Sequence, residues 1–314
     1  MATGKKSGRK GKPSGGGRPP YLALAVVVAI IVVAILLLER TRSTRPVQEP
    51  RPHPPVASTE APAPPPAEPA APAAPAVVAP SKTPMPRHAA PLKGHGSLAI
   101  IVDDMGANMQ EAMELLSIDL PITFSVIPSL AKAAAVAEAA HGAGEEVMVH
   151  MPMEPQGYPK QRLEKIGLLV SMDEEEIERR VNGYFAFVPH AVGANNHMGS
   201  RFTERLDKMA PVLKVLKEHG VFFVDSLTSP ASVGYKTARA AGLKCGMRQV
   251  FLDNVQDVGA IRKQLAQAAA VATKRGAAIA ICHPHPATIK ALKEMMPELK
   301  EGGIQLVHAS DLVS

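Results

Sequence analysis

The chain has 314 residues, with 35 Lys+Arg against 29 Asp+Glu and a formal net charge of +6 at neutral pH. That basicity does not mark a nucleic-acid binder. Thirteen of the basic residues but only four of the acids precede Ser97, so residues 97–314 are net acidic, and a chain without Trp and with 4% aromatics offers little for stacking bases. Two cysteines, Cys245 and Cys282, exclude a disulfide framework and a Cys-rich zinc module; each lies in an apolar stretch and reads as a buried thiol, with one bridge between them as the alternative.

In chain order, residues 1–20 hold Lys5, Lys6, Arg9, Lys10, Lys12 and Arg18 among glycines and cannot bury a core. Residues 21–38, "YLALAVVVAIIVVAILLL", are uninterrupted apolar sequence of the length a bilayer helix needs, roughly 20 residues. Glu39 and Arg40 follow directly, with no small-residue cleavage site, which predicts an uncleaved anchor. The six positive charges before the span predict a cytoplasmic N-terminus and a periplasmic C-terminal domain, hence a single-pass inner-membrane protein. Residues 39–96 are dense in Pro and Ala and read as a disordered, extended spacer.

Residues 97–314 have the size of one domain. Strands are predicted at Leu98–Asp103, Ile122–Ile127, Glu146–His150, Ala191–Asn195, Val221–Asp225, Gln249–Leu252, Ala277–Cys282 and Gln305–His308. Helical composition fills most of the intervals. A capping box, Ser171 with Glu174, opens one helix; Asp207–Glu218, Val258–Lys274 and Thr288–Leu299 give others, the last interrupted by Pro297. Alternating strands and helices predict an α/β fold with a parallel sheet, and seven or eight such units predict a closed or nearly closed β/α barrel.

The strand ends carry the chemistry. Apolar runs stop at Asp103-Asp104, at His150, at Asn195-Asn196-His197, at Asp225, at Asp253 and at His283. In a parallel barrel these C-terminal ends converge on one face. Two adjacent carboxylates at a buried strand end repel unless water or a cation relieves them. A divalent metal at Asp104, with His150 and His197 from other strands, would do so, and Asp and His donors suit zinc. His283 is the candidate for proton transfer. Each residue taken singly also has a plainer reading. Asp103-Asp104, Asp225 and Asp253 could cap helices, and Asn195-Asn196 could hold a tight turn.

Together "IIVDDMG", "GEEVMVHMPMEP", "GANNHMGS", "FVDS", "VFLDN" and "AIAICHP" resemble the divergent polysaccharide deacetylase family, a branch of the NodB-like polysaccharide deacetylase group. The resemblance covers residues 97–314 and implies a distorted β/α barrel that removes acetyl groups from polysaccharides. It implies Asp103 as base, Asp104 and His150 as metal ligands, and His283 as general acid. Where the wider group has a second ligand His, this chain has Glu154, so His197 or Glu154 completes the metal set. The group's Arg-Pro-Pro-Tyr-like segment and its Trp motif have no counterpart here.

The expectation is therefore a membrane-anchored, metal-dependent deacetylase. It would act on a cell-envelope polysaccharide or peptidoglycan-type glycan, with Asn195, Asn196, Asp225 and Asp253 contacting substrate. The alternative is a non-catalytic envelope module that keeps the fold and binds glycan or a partner protein. A TonB-like energy transducer, suggested by anchor and spacer, fits less well with so large a βα-patterned domain.

Overall fold

The structure, a computed structural model, describes residues 96–314. The basic tail, the apolar span at 21–38 and the spacer up to residue 95 lie outside the described residues, among which no helix is long and apolar enough to cross a membrane. Among the described residues, nine strands are interleaved with seven helices. The strands are β1 (Ser97–Met105), β2 (Thr123–Val126), β3 (Glu146–Met153), β4 (Gly193–Met198), β5 (Phe222–Asp225), β6 (Cys245–Met247), β7 (Val250–Phe251), β8 (Ala277–Cys282) and β9 (Gln305–Val307). The helices are α1 (Met109–Leu116), α2 (Ala133–Gly142), α3 (Glu174–Tyr184), α4 (Leu206–Glu218), α5 (Gly234–Ala240), α6 (Val258–Arg275) and α7 (Pro286–Glu301).

Every ladder is parallel, in the order β6-β5-β4-β3-β2-β1-β8-β7, with β9 added to the first residues of β1. No ladder among the described residues joins β6 to β7. The sheet therefore curls into an open half-barrel, where the sequence predicted a closed or nearly closed one. Two local readings also change. The cap of α3 is Asp173, whose Oδ1 accepts from the Glu176 N–H at 2.8 Å, and not Ser171. The helix α7 runs through Pro297 unbroken, because that residue lies on the exposed face, where water can take the orphaned carbonyl. Cys245 and Cys282 are both free and buried.

Strand periodicity sorts the side chains into two cores. One face of the sheet packs against the helices: Leu98, Ile100 and Val102 of β1, Val147, Val149 and Met151 of β3, and Ala278, Ala280 and Cys282 of β8. The other face closes the inside of the curl with Ala99 and Ile101, Met148, Phe222 and Val224, Ile279 and Ile281, joined by Ala309. This inner plug occupies the N-terminal part of the strands. Two residues further along each strand, the same inner face turns polar.

Gly193 makes room for the plug. It pairs in register with Phe222, and a Cβ at Gly193 would overlap the Phe222 ring. In an ordinary strand Gly→Ala gains about 0.5–1 kcal/mol from reduced chain entropy. Here overpacking of about 1–3 kcal/mol outweighs that gain. Gly193→Ala should therefore lower the denaturant midpoint, and Phe222→Leu in the same chain should restore part of it. A raised midpoint in the single variant would show that the ring yields freely.

Candidate metal centre

The polar rim follows from the inner plug by the period of two. Asp103 follows Ala99 and Ile101; His150 follows Met148; Ser226 follows Phe222 and Val224; His283 follows Ile279 and Ile281. On β4, Asn195 and His197 share the inner face, and Asn195 stands beside His150 in the ladder. Asp104 breaks the alternation, since an ideal strand would turn it outward. The β1 register slips between Val102 and Met105, and Asp104 adopts φ 58°, a left-handed backbone that Asp tolerates better than most residues. That bulge turns the second carboxylate inward beside the first. Met198 (φ 51°) and Leu227 (φ 48°) make similar left-handed turns after β4 and β5.

Asp104, His150 and His197 converge. Asp104 Oδ1 lies 2.8 Å from His197 Nδ1 and 3.2 Å from His150 Nε2, and those two nitrogens are 3.2 Å apart. Asp104 Oδ1 is buried, yet no aligned hydrogen bond reaches it. Three donor atoms with edges near 3 Å match one face of a tetrahedron of zinc-like bond lengths, whose edges measure about 3.3 Å. The residues fit a small divalent cation. Burial alone would raise the Asp104 carboxyl, but the His150 and His197 rings outweigh it and hold Asp104 well below the usual carboxylate range.

The supporting shell fixes which nitrogen each ring presents. Asn195 Nδ2 donates to Asp103 Oδ1 at 2.8 Å, which leaves Asn195 Oδ1 to accept from Ser125 Oγ and from His150 Nδ1, both at 2.6 Å. With its proton on Nδ1, His150 offers the bare Nε2 lone pair to the cation, the orientation that outer-shell partners impose on metal-bound histidines. His197 Nε2 faces Glu164 Oε2 at 3.7 Å, a buried oxygen with no hydrogen bond. Asn195→Ala would strand the Ser125 hydroxyl, the His150 N–H and Asp103 at once. Cation affinity by calorimetry should fall about 10–100-fold, with a loss of stability of about 1–3 kcal/mol. Unchanged affinity would remove Asn195 from the support of the site.

The proton-transfer candidates flank this triad. Asp103 is buried, with Oδ2 at 3.6 Å from His150 Nε2. Burial pushes its carboxyl up, against the opposing charges of His150 and His283 and the Asn195 hydrogen bond. His283 Nδ1 pairs with Asp253 Oδ1 at 3.1 Å, and Nε2 points inward, 3.9 Å from Asp104 Oδ2. Burial lowers the His283 pKa, but the Asp253 hydrogen bond and the charges of Asp103 and Asp104 outweigh it and push it up to about 9.

Asp253, His283 and His285 also lie close enough to share an ion. The Asp253 oxygens, however, are already engaged by the His283 backbone N–H, His283 Nδ1 and Thr288 Oγ1. Asp253 orients His283 and does not itself line the cavity.

Three of the residues expected to touch substrate are therefore reassigned, with Asp253 as the first. Asn195 is fully buried, with both amide ends engaged. Asp225 faces outward by strand parity. It accepts from Leu227 N, Ser232 Oγ and Tyr235 N, and so anchors the start of α5. Asn196 does border the cavity, and its amide spans Ser226 N, Met198 O and Thr228 Oγ1. Glu154 does not join the triad. Its carboxylate accepts from Val170 N and Arg201 Nη1, both at 2.8 Å, pinning the connection after β3. Glu164, Ser125 and Arg248 were not singled out from sequence, since none ends an apolar run as a charged pair or a histidine does, and Ser226 stood in the "FVDS" strand end without an assigned role.

The cavity over the triad measures about 520 Å³, within the range of small-molecule sites. Its walls include Asp103, Asp104, His150, His197, Ser226 and His283.

Parallel strands that gather Asp and His at one rim are what the sequence motifs implied, and comparison with known proteins agrees on the family. The profile of the divergent polysaccharide deacetylase family matches residues 100–313, and the chain belongs to that family. Escherichia coli (strain K12) YibQ is 39% identical over 219 residues, 70% of this chain and 68% of that protein. A Haemophilus influenzae protein is 35% identical over 215 residues, 68% of this chain and 76% of that one. Among solved structures, the Agrobacterium tumefaciens C58 protein ATU2773 superposes with a TM-score of 0.67 at 25% identity, covering 70% of this chain and 90% of its own.

Proposed function

We propose that the protein is a metal-dependent deacetylase acting on an acetylated glycan of the cell envelope, held at the membrane by residues 21–38 with its domain in the periplasm. The observation that carries the reading is the convergence of Asp104, His150 and His197 on one point, with Asp103 and His283 on either side. Family membership supplies the substrate class.

Asp104, His150 and His197 would hold the cation, and the Asp/His donor set favours zinc. A divalent cation bound there would polarise a carbonyl and lower the pKa of water. Asp103, raised by burial, is placed to take the proton of the attacking water. Asn195 holds its carboxylate at a fixed angle. His283, whose pKa the Asp253 hydrogen bond helps to push up, is placed to give a proton to the departing amine or alkoxide. Asn196 and Thr228 brace the β4–β5 rim beside the substrate.

The full-length protein, purified in detergent, should contain about one divalent ion per chain and release acetate from at least one acetylated envelope glycan. Chelation should stop that release, and added zinc should restore it. A chain that holds its ion but releases no acetate from N- or O-acetylated glycans would instead be a binding module on a deacetylase fold.

A further inference from the structure

The cavity contains a positive charge that the proposed chemistry does not use. Arg248 follows β6 and reaches the rim of the cavity. Its Nε–H donates to Ser226 O at 2.7 Å and one Nη2–H donates to Leu227 O at 2.9 Å, while the guanidinium lies 5.0 Å from the centroid of the Phe251 ring. Two carbonyls and an aromatic face fix its plane without supplying a negative counter-charge. Three N–H groups remain.

Among the described residues no carboxylate forms an ion pair with Arg248. Asp103 and Asp225 are near enough for their charges to act on it. Asp225, however, is committed to Leu227, Ser232 and Tyr235, and Asp103 to Asn195 and the His150 side. Beside the guanidinium stands a second unmatched group. Ser226 is 5% exposed, lines the same cavity, and its hydroxyl has no hydrogen-bond partner. A half-buried guanidinium with spare donors and a buried hydroxyl with none of its bonds made call for an acceptor that carries charge.

We propose that Arg248 and Ser226 form a receptor for an anionic substituent, a carboxylate or a phosphate, on the acetylated sugar in the cavity. The inference rests on reading this cavity as a deacetylase substrate site. A neutral sugar would fill the hydroxyl's needs but leave the desolvated guanidinium without its counter-charge. A planar carboxylate can instead take two parallel N–H bonds from the Arg fork.

Calorimetry on the full-length, cation-loaded protein tests this with three versions of one N-acetylhexosamine oligomer: carboxylate-bearing, its methyl ester, and phosphate-bearing. At low salt, at least one anionic probe should bind about tenfold or more tightly than the ester, and high salt should shrink the gap. The anion with the larger advantage identifies the substituent. In Arg248→Gln the ratio should fall to near one. Arg248→Lys should keep part of it, because the charge remains but the fork is lost, and Ser226→Ala should lower it less than Arg248→Gln does.

Equal binding of all three probes by the wild-type chain would overturn the inference, as would an undiminished ratio in Arg248→Gln, which would leave Arg248 a clamp on two carbonyls. Should Arg248→Gln fail to fold, the wild-type ratio and Arg248→Lys decide. Acetate release measured on the same probes separates the two readings. Release without anion preference sinks the receptor and leaves the deacetylase. Preference without release sinks the deacetylase and leaves a receptor for acidic glycan.

Discussion

The Asp104→Ala chain should lose its divalent cation. Outer-shell changes at metal sites already cost about 10–100-fold in affinity, and Asp104 supplies the only carboxylate oxygen of the triad. Its removal should exceed that range, leaving the purified protein essentially metal-free by elemental analysis. Alanine also fits poorly at φ 58°, a backbone that costs most L-residues about 1–2 kcal/mol. Asp104→Gly is the matched control, since glycine adopts that conformation freely. Both variants should lose the ion, and only the alanine should also lose stability. An ion retained in Asp104→Gly would end the assignment of Asp104 as a ligand.

Asp103→Asn should do the reverse. The amide keeps the size of the carboxylate and can still accept from Asn195 Nδ2, so the ring of ligands stays in place. What disappears is the proton acceptor. General-base catalysis contributes about 10²–10⁴-fold, and kcat for acetate release should drop by that order while cation content stays within about twofold of wild type. Parallel loss of cation and activity would make Asp103 a ligand, and full activity would move the base elsewhere. Asp103 and Asp104 are neighbours in sequence, yet they should answer to different assays.

That division explains what the sequence could and could not show. Asp103, His150 and His283 were legible because each extends the inner stripe of an apolar strand and ends it abruptly in a polar group, and His197 because it closes the polar run Asn195-Asn196-His197. The pairing of Asp104 with them was legible as a question about charge, but its answer needed the slipped register and left-handed turn. Asn195 looked like a substrate contact because it sits among the others; only its ladder position beside His150 shows that it faces inward and is consumed there. Asp225 and Asp253 end strands as well, yet one anchors a helix and the other an imidazole. A carboxylate's partner depends on what folds against it, not on its neighbours in sequence. The three-residue β6 was missed because "CGM" is too short for a period, and Arg248 beyond it because one arginine in a loop carries no pattern.

Asn195 links two functions in one rigid amide: its oxygen orients His150 and its nitrogen orients Asp103. Linkage is reciprocal, so a group that shifts the balance on one side must shift it on the other. On the proposed reading, a ligand that settles against Asp103 would change the affinity for an ion at His150, and the ion would change the affinity for that ligand by the same factor. The coupling between metal and sugar would then be one free energy measured from two ends.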